Sequence, residues 1–403
     1  MDPLSWGEII PRILYQFLPV WISMFVVFTA SITFKRKLGL YGRIFDSTVG
    51  MIGFALVTFW VFTAFYGSAF DLIATHDPLS QASGMKNKVP GTPLRGAEEN
   101  GAYAYYLLGG DNLARDVFSR MIHGSAIVLA IAPLATLFGY IVGITLGLPA
   151  GYFGGRLDTM LSFLANLILA FPVILLFYLL VTPEITATGI PMYMAAVFFI
   201  FPLIFITVLL NSRYKVLPHI RTPLLAVVLV VGSWIYLSTI SDQGRAVPTL
   251  VDFWPNALDL FNIAPGVLVV FIAVVFVNSP TIFRIMRGLT MDVKSRDYVA
   301  AAQTRGETPW YIMLWEILPN VRGPLIVDFC LRIGYATILL GTLGFFGLGL
   351  PPESPDWGST INDGRKLLSV YLHPALTPAF SLLSLVLGLN LLADGLREES
   401  LKD

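Results

Sequence analysis

Residues 297–320 read DYVAAAQTRGETPWYIMLWEILPN and separate two strongly apolar runs. A polar, partly amphipathic stretch does not fit the interior of a bilayer, where polar groups must be satisfied without water. It fits a surface that docks on another protein. Asp297 opens the first turn, and Tyr298, Ala301 and Ala302 recur at i, i+3 and i+4, giving one helical face a shallow, small-residue surface. Gly306 then permits a backbone reversal that a side chain would obstruct. Thr308 has the chemistry of an N-cap, and Pro309 takes the first helical position, where its missing N–H is harmless. The second helix is expected to carry Trp310, Leu314 and Leu318 on an apolar stripe and to end at Pro319. Pattern alone leaves two readings open: a knob for a partner's cleft, or an amphipathic hairpin that anchors the neighbouring spans.

The rest of the chain says what surrounds this segment. Of 403 residues, 56% are apolar and 13% charged, with mean hydropathy +0.73. A soluble domain carries roughly a quarter charged residues, so the expected class is an all-α polytopic membrane protein. Apolar runs near the ~20-residue spanning length number about nine: 12–34, 48–70, 125–150, 159–181, 190–211, 222–241, 265–287, 324–349 and 375–394. The first contains Pro11 and Pro19 and has the alternative of lying along the interface. The formal net charge is zero, which gives no electrostatic case for a nucleic-acid partner. The single cysteine, Cys330, excludes a disulfide framework and is expected to be an inert thiol. The N-terminus lacks a signal-peptide pattern, so residue 1 is expected to belong to the mature chain.

Basic residues set the expected orientation. Lys35, Arg36, Lys37 and Arg43, then Arg156, then Arg213, Lys215 and Arg221, then Arg284, Arg287, Lys294, Arg296 and Arg305 fall in alternate loops. All can therefore share the cytoplasmic side. The intervening loops hold Asp71, Glu98 and Glu99, then Asp242 and Asp252, then Glu353 and Asp356. With nine spans the N-terminus is expected outside and the C-terminal LREESLKD inside.

Asp328 and Arg332, four residues apart, share a helical face near the inner end of the eighth run. Each charge would cost roughly 2.5–3.5 kcal/mol at the bilayer centre, so the two should pair or face water. They are read either as a structural ion pair or as a candidate inner gate. His76, His123, His219 and His373 are isolated and no HExxH occurs, so no metal site is expected. The sequence has no GxxxxGK[ST] phosphate loop, so no nucleotide-hydrolysing site is expected in this chain.

The segment 297–320 resembles the cytoplasmic coupling loop of ABC-importer permeases of the dipeptide/oligopeptide/nickel branch, in its C-type subunit. Ala301-Ala302, Gly306 and the closing Ile317 to Asn320 match, while Ala300 stands at the family's glutamate and Glu316 at its usual histidine. LLGGDNLARDVFSR (107–120) resembles the family's pre-span segment, with Gly110 and Ala114 departing from its usual Thr and Gly. GYFGGRLD (151–158) followed by Ala170-Phe171-Pro172, GFFGLGLPPESPDWGSTINDGR (344–365) and LNLLADGLRE (389–398) resemble further family segments, in the same order.

The resemblance implies a type I importer helical bundle in a bacterial inner membrane, without a cofactor of its own. ATP and Mg would be bound by two partner ATPase subunits. The pore would be shared with a second, non-identical permease, and an extracytoplasmic solute-binding protein would deliver peptides or peptide-like solutes. It also implies that Asp297, Tyr298, Ala301, Ala302, Gly306, Thr308, Trp310, Leu318 and Pro319 carry ATPase coupling. The expected organisation is an extra segment 1–34, a first span with outer loop 35–124, core 125–181, an insertion of two spans at 182–264, and core 265–403 with the coupling loop at 294–320. The insertion is expected to pack peripherally. The rival reading, an ion-coupled secondary transporter, needs intramembrane acids and inverted repeats, and Asp328 with Arg332 is its one candidate.

Overall fold

A computed structural model describes residues 2–97, 102–241, 258, 260, 263–348, 350–351 and 354–400. Five of the acidic residues assigned to outer loops, Glu98, Glu99, Asp242, Asp252 and Glu353, lie outside these. The helices that matter below are α1 (Trp6–Gln16), α2 (Leu18–Phe34), α3 (Thr48–Ala64), α4 (Val117–Phe153), α5 (Gly155–Leu169), α6 (Val173–Val181), α7 (Ile190–Arg213) and α8 (Pro218–Ile240). They continue with α9 (Pro265–Val293), α10 (Asp297–Thr304), α11 (309–320), α12 (Arg322–Phe345), α13 (Trp357–Arg365) and α14 (His373–Ser400). Among the described residues eight helices are long and apolar enough to span, or nine if α5 and α6 count as one.

Two expected runs need correction. The run 12–34 breaks at Phe17. Its first part belongs to α1, an amphipathic helix held by a capping box in which the Ser5 backbone N–H donates to Glu8 at 2.9 Å. Only α2 is apolar throughout, and Pro19 falls in its first turn, where no N–H is needed. The run 159–181 is not one rod: α5 and α6 meet at 82°. Pro172 has no N–H to donate and pushes Phe171 out of helical geometry, so the chain turns there.

Contacts divide the chain into one unit of 1–133 with 330–403 and another of 134–329. In the first, α3 and α14 run antiparallel in close contact. A Cβ on Gly53 would come within 2.3 Å of the Leu392 nitrogen, so only glycine allows this approach. Ser47 donates to Glu398 at one end, and Trp60 donates to Ser384 at 2.8 Å further along. The predicted first basic loop and the C-terminal tail thus meet. The segment 107–121 likewise meets the loop after α12. The Trp357 indole donates to the Met121 carbonyl, and Arg120, fully buried, donates to Thr360 and to the Ser354 carbonyl at 3.0 Å. Asp356 caps α13 by accepting from the Ser359 N–H, and burial pushes its carboxyl above the usual range despite that bond.

Ala114, where the resembled family has glycine, sits at φ 65°. That left-handed conformation is roughly 1–2 kcal/mol unfavourable for a residue with a Cβ. Glycine would remove the strain but enlarge the unfolded ensemble. Ala114→Gly is therefore expected to stabilise the chain by about 0.5–1 kcal/mol, read as a higher melting temperature in detergent. An unchanged or lower temperature would contradict this account of the turn.

In the second unit a glycine stripe lets α4 lie against α9. Added Cβ atoms at Gly143, Gly147 and Gly151 would fall within 2.6, 2.9 and 2.7 Å of Ile282, Met286 and the Arg287 carbonyl, respectively. Three predicted inner segments converge at one end. Lys294 donates to the Gly151 carbonyl at 3.0 Å, Gln303 to the Tyr152 hydroxyl at 3.2 Å, and Arg287 pairs with Asp158. The last turn of α7 joins them through Ser212, whose hydroxyl receives the Trp315 N–H at 3.1 Å. At 1.5 Å per residue α7 is about 36 Å long, so its first residue lies far from that end. The chain leaves the same end at Phe153, so α5 and α6, despite their bend, lie between that end and the start of α7.

Candidate functional site

The segment 297–320 folds as the expected helix, break and helix. Helix α10 ends in a Schellman turn with Gly306 at φ 78°. The Gly306 N–H bonds the Gln303 carbonyl at 2.9 Å and the Glu307 N–H bonds the Ala302 carbonyl at 3.2 Å, which satisfies carbonyls that the helix end would otherwise orphan. Thr308 then caps α11 by accepting the Tyr311 N–H, with Pro309 in the first turn. The turn is therefore set by three local choices that were readable in advance.

The second helix departs from the expectation. Its middle, Ile312–Ile317, is a π turn between the short α pieces Pro309–Tyr311 and Leu318–Asn320. A π turn takes an extra residue per turn and rotates everything after it. The buried side chains are accordingly Ile312, Met313, Leu314 and Ile317 instead of a stripe of Trp310, Leu314 and Leu318. Trp310 is 40% exposed and Leu318 half-buried. Pro319 does not end the helix either. It sits in the first turn of the last α piece, where its missing N–H is tolerated, and the helix runs on to Asn320. Val321 alone separates it from α12.

On α10 the inward residues are Val299 and Ala302, both fully buried. Ala302 is therefore corrected from docking surface to core. Asp297, Ala300, Ala301, Gln303, Thr304, Arg305 and Gly306 are exposed, while Tyr298 is half-buried and Thr308 intermediate. Burial, as the largest influence, pushes the Tyr298 hydroxyl pKa up; Arg296 opposes this and Glu316 adds to it. The hairpin is rooted in a core built from Tyr140 and Leu148 of α4, Ile282 and Met286 of α9, and Leu325 of α12. Burial of its four π-turn side chains at about 1.5–3 kcal/mol each far exceeds any surface ion pair. The hairpin is thus anchored in the core while the residues of its tip stay exposed.

Sequence reasoning missed the polar ties. Glu316, which replaces the family's histidine, accepts from Arg305 at 2.6 Å and joins the two helices. Arg305 is largely solvated, so that pair contributes at most about 1 kcal/mol. Trp315 was not singled out either, yet its indole donates to Ser212 and its ring lies under the Arg213 guanidinium at 4.8 Å. Spacing along one helix carries no signal for a contact 103 residues away. Asp328 accepts a short hydrogen bond from the Tyr140 hydroxyl, and Arg332 is half-buried one turn further along α12. Cys330 between them is half-buried.

Comparison with known proteins gives this architecture relatives. The family described as "Binding-protein-dependent transport system inner membrane component" matches residues 232–398, which include the whole hairpin. A glutathione transport system permease protein of Pectobacterium atrosepticum is 28% identical over 298 residues, 74% of this chain and 73% of that protein. A dipeptide transport system permease protein of Alkalihalophilus pseudofirmus is 28% identical over 331 residues, 82% and 81% of the two chains. One from Haemophilus influenzae is 28% identical over 293 residues, covering 73% and 72%. A polytopic helical fold, a capped hairpin rooted in it and these similarities agree: over 232–398 the chain matches the binding-protein-dependent transport system inner membrane components, and over most of its length it is similar to permease proteins of glutathione and dipeptide transport systems.

Proposed function

We propose that the hairpin α10–α11 is the seat of an ATPase subunit, and that this chain couples nucleotide hydrolysis on that partner to movement of a peptide-like solute. The observation that carries the reading is a rigid, capped tip on a root buried among α4, α9 and α12, so a push on the tip moves those helices as a body. Asp297, Ala301, Gly306 and Trp310 form the contacting side. Tyr298, Thr308, Leu318 and Pro319 hold its shape, and Ala302 roots it. The chain itself is non-catalytic, and ATP with Mg belongs to two partner ATPases. A second, non-identical permease completes the pore and an extracytoplasmic solute-binding protein loads it. Relatives named for glutathione and dipeptide transport support the solute class. Counting α5 and α6 as one crossing leaves the N-terminus outside and the C-terminus in the bacterial cytoplasm. Asp328 and Arg332 stand near the inner mouth as gate residues. The same relatives leave the ion-coupled reading without support.

Single cysteines test the seat. In a chain with Cys330→Ala, Ala301→Cys is expected to crosslink to the ATPase subunit in membranes, whereas Ala302→Cys, fully buried, is expected to react at least tenfold less. Equal labelling of both, or crosslinking of neither, contradicts the seat.

A further inference from the structure

The extra helices α7 and α8 were expected to pack peripherally, yet the inner half of α7 is built into the hairpin's surroundings. Ile204, Phe205 and Val208 of α7 line a small apolar pocket together with Trp310 and Leu314 of the hairpin and Ile144 and Leu148 of α4. One turn further, Ser212 is 6% exposed, donates to the Leu209 carbonyl at 2.8 Å and accepts the Trp315 indole N–H at 3.1 Å. Both hydrogen-bonding roles of that hydroxyl are therefore fixed. Arg213 covers the ring of the same tryptophan. Helix α8 backs α7 from behind: the Tyr236 hydroxyl donates to the Ala196 carbonyl at 2.8 Å, and a Cβ on Gly232 would meet Leu203 at 2.5 Å. A helix that only filled space beside lipid would need no directional bond at its end. This one is fastened to the π turn, the least regular part of α11 and the part whose orientation the backbone ladder fixes least.

We propose that α7, backed by α8, is a built-in brace for the hairpin, and that Ser212 and Arg213 are positioning residues that act through Trp315; this rests on the hairpin being the ATPase seat. The two tryptophans divide the task. Trp310 is steadied through the apolar pocket, and Trp315 is fixed in direction by one hydrogen bond and one stacked cation. Motion delivered to the tip then moves α4, α9 and α7 together, with no loss into rotation of α11. Removing the polar ties leaves the apolar root intact, so the hairpin stays folded but swings about that root.

The test uses the assembled transporter with its ATPases, sister permease and binding protein in proteoliposomes. The paired substitution Ser212→Ala with Arg213→Ala is expected to lower solute moved per ATP hydrolysed at least threefold. It should also increase the mobility of a spin label at Ala301→Cys, in a Cys330→Ala chain. Ser212→Thr with Arg213→Lys, which keeps an acceptor hydroxyl and a cation, is expected to restore at least half of the ratio. If the paired variant fails to accumulate, Trp315→Phe takes its place, since it keeps an aromatic face for Arg213 while losing the indole N–H and part of the ring's bulk, and it should raise label mobility in the same direction. An unchanged ratio with an unchanged label spectrum overturns the brace. Failure of the brace and failure of the seat are separable. If Gly306→Val abolishes uptake while the paired variant couples normally, the brace alone falls; if Gly306→Val transports normally, the seat falls and the brace with it.

Discussion

Gly306→Val is expected to reduce solute uptake at least tenfold while the amount of chain in the membrane stays near that of the parent. The two halves of this result have separate physical causes. A Cβ added at Gly306 would meet nothing within 4 Å, so the position has open space around the first side-chain atom. The strain is in the backbone alone, because φ 78° is a conformation that a β-branched residue avoids at a cost of roughly 1–2 kcal/mol or more. A chain held by the buried core around the hairpin absorbs that amount without unfolding. The turn does not absorb it. Valine relaxes toward negative φ, and the bonds from the 306 and 307 N–H groups to the Gln303 and Ala302 carbonyls are lost together. The angle between α10 and α11 is then no longer fixed, and the tip presented to the ATPase changes shape. Alanine should fall between, with uptake reduced severalfold, since it shares the strain but not the branching. Uptake into membrane vesicles, normalised to chain quantified by immunoblot, reads both halves. Uptake within twofold of the parent would remove the basis for assigning coupling to this hairpin.

What was legible in the sequence divides by the range over which each feature is encoded. Gly306, Thr308 and Pro309 act within four residues of themselves, and the turn they were expected to make is the turn observed. Span lengths are similarly local sums of hydropathy, and most helices fall within a few residues of the apolar runs. The misreadings share another cause. Ala302 was assigned to a docking face because it repeats at i+4 from Tyr298, but whether a small-residue face points outward or inward depends on what packs against it. Here Val299 beside it and the core of α4 and α9 decide. The π turn moved Leu318 off the expected stripe, since one extra residue per turn is invisible to a 3.6-residue period. Pro172 lies inside a run that hydropathy alone makes continuous, although its missing N–H and its restriction of Phe171 are enough to expect a break where the 82° bend occurs. The fastening of Trp315 by Ser212 and Arg213 had no local signature at all.

Arg115→Met is expected to destabilise the chain by about 3–5 kcal/mol, the range for removing one member of a buried ion pair. Arg115 is 3% exposed and reaches two carboxylates, Asp111 at 2.6 Å and Asp363 at 2.8 Å. These two acids differ in what they lose. Asp363 is partly solvated and can turn to water, whereas Asp111 is 1% exposed and keeps only the more distant Arg120 guanidinium at 4.0 Å. The other Asp111 oxygen already accepts the Leu113 and Arg115 N–H groups at 2.8 Å, so the carboxylate holds the turn around Ala114 as well as the guanidinium. Methionine fills most of the arginine's volume, which isolates the electrostatic loss from a cavity effect. Adding Asp111→Asn to Arg115→Met is then expected to recover at least about 1 kcal/mol, because asparagine keeps an acceptor for the two N–H groups while removing the stranded charge. Thermal unfolding of the detergent-purified chain, in the order parent, double variant, Arg115→Met, checks the cycle. A melting point for Arg115→Met within a degree or two of the parent would mean that water reaches Asp111 after all. Arg120 would then be the better candidate for the charge that fastens the pre-span segment to the loop beyond α12, since it is fully buried and donates to Thr360 and Ser354.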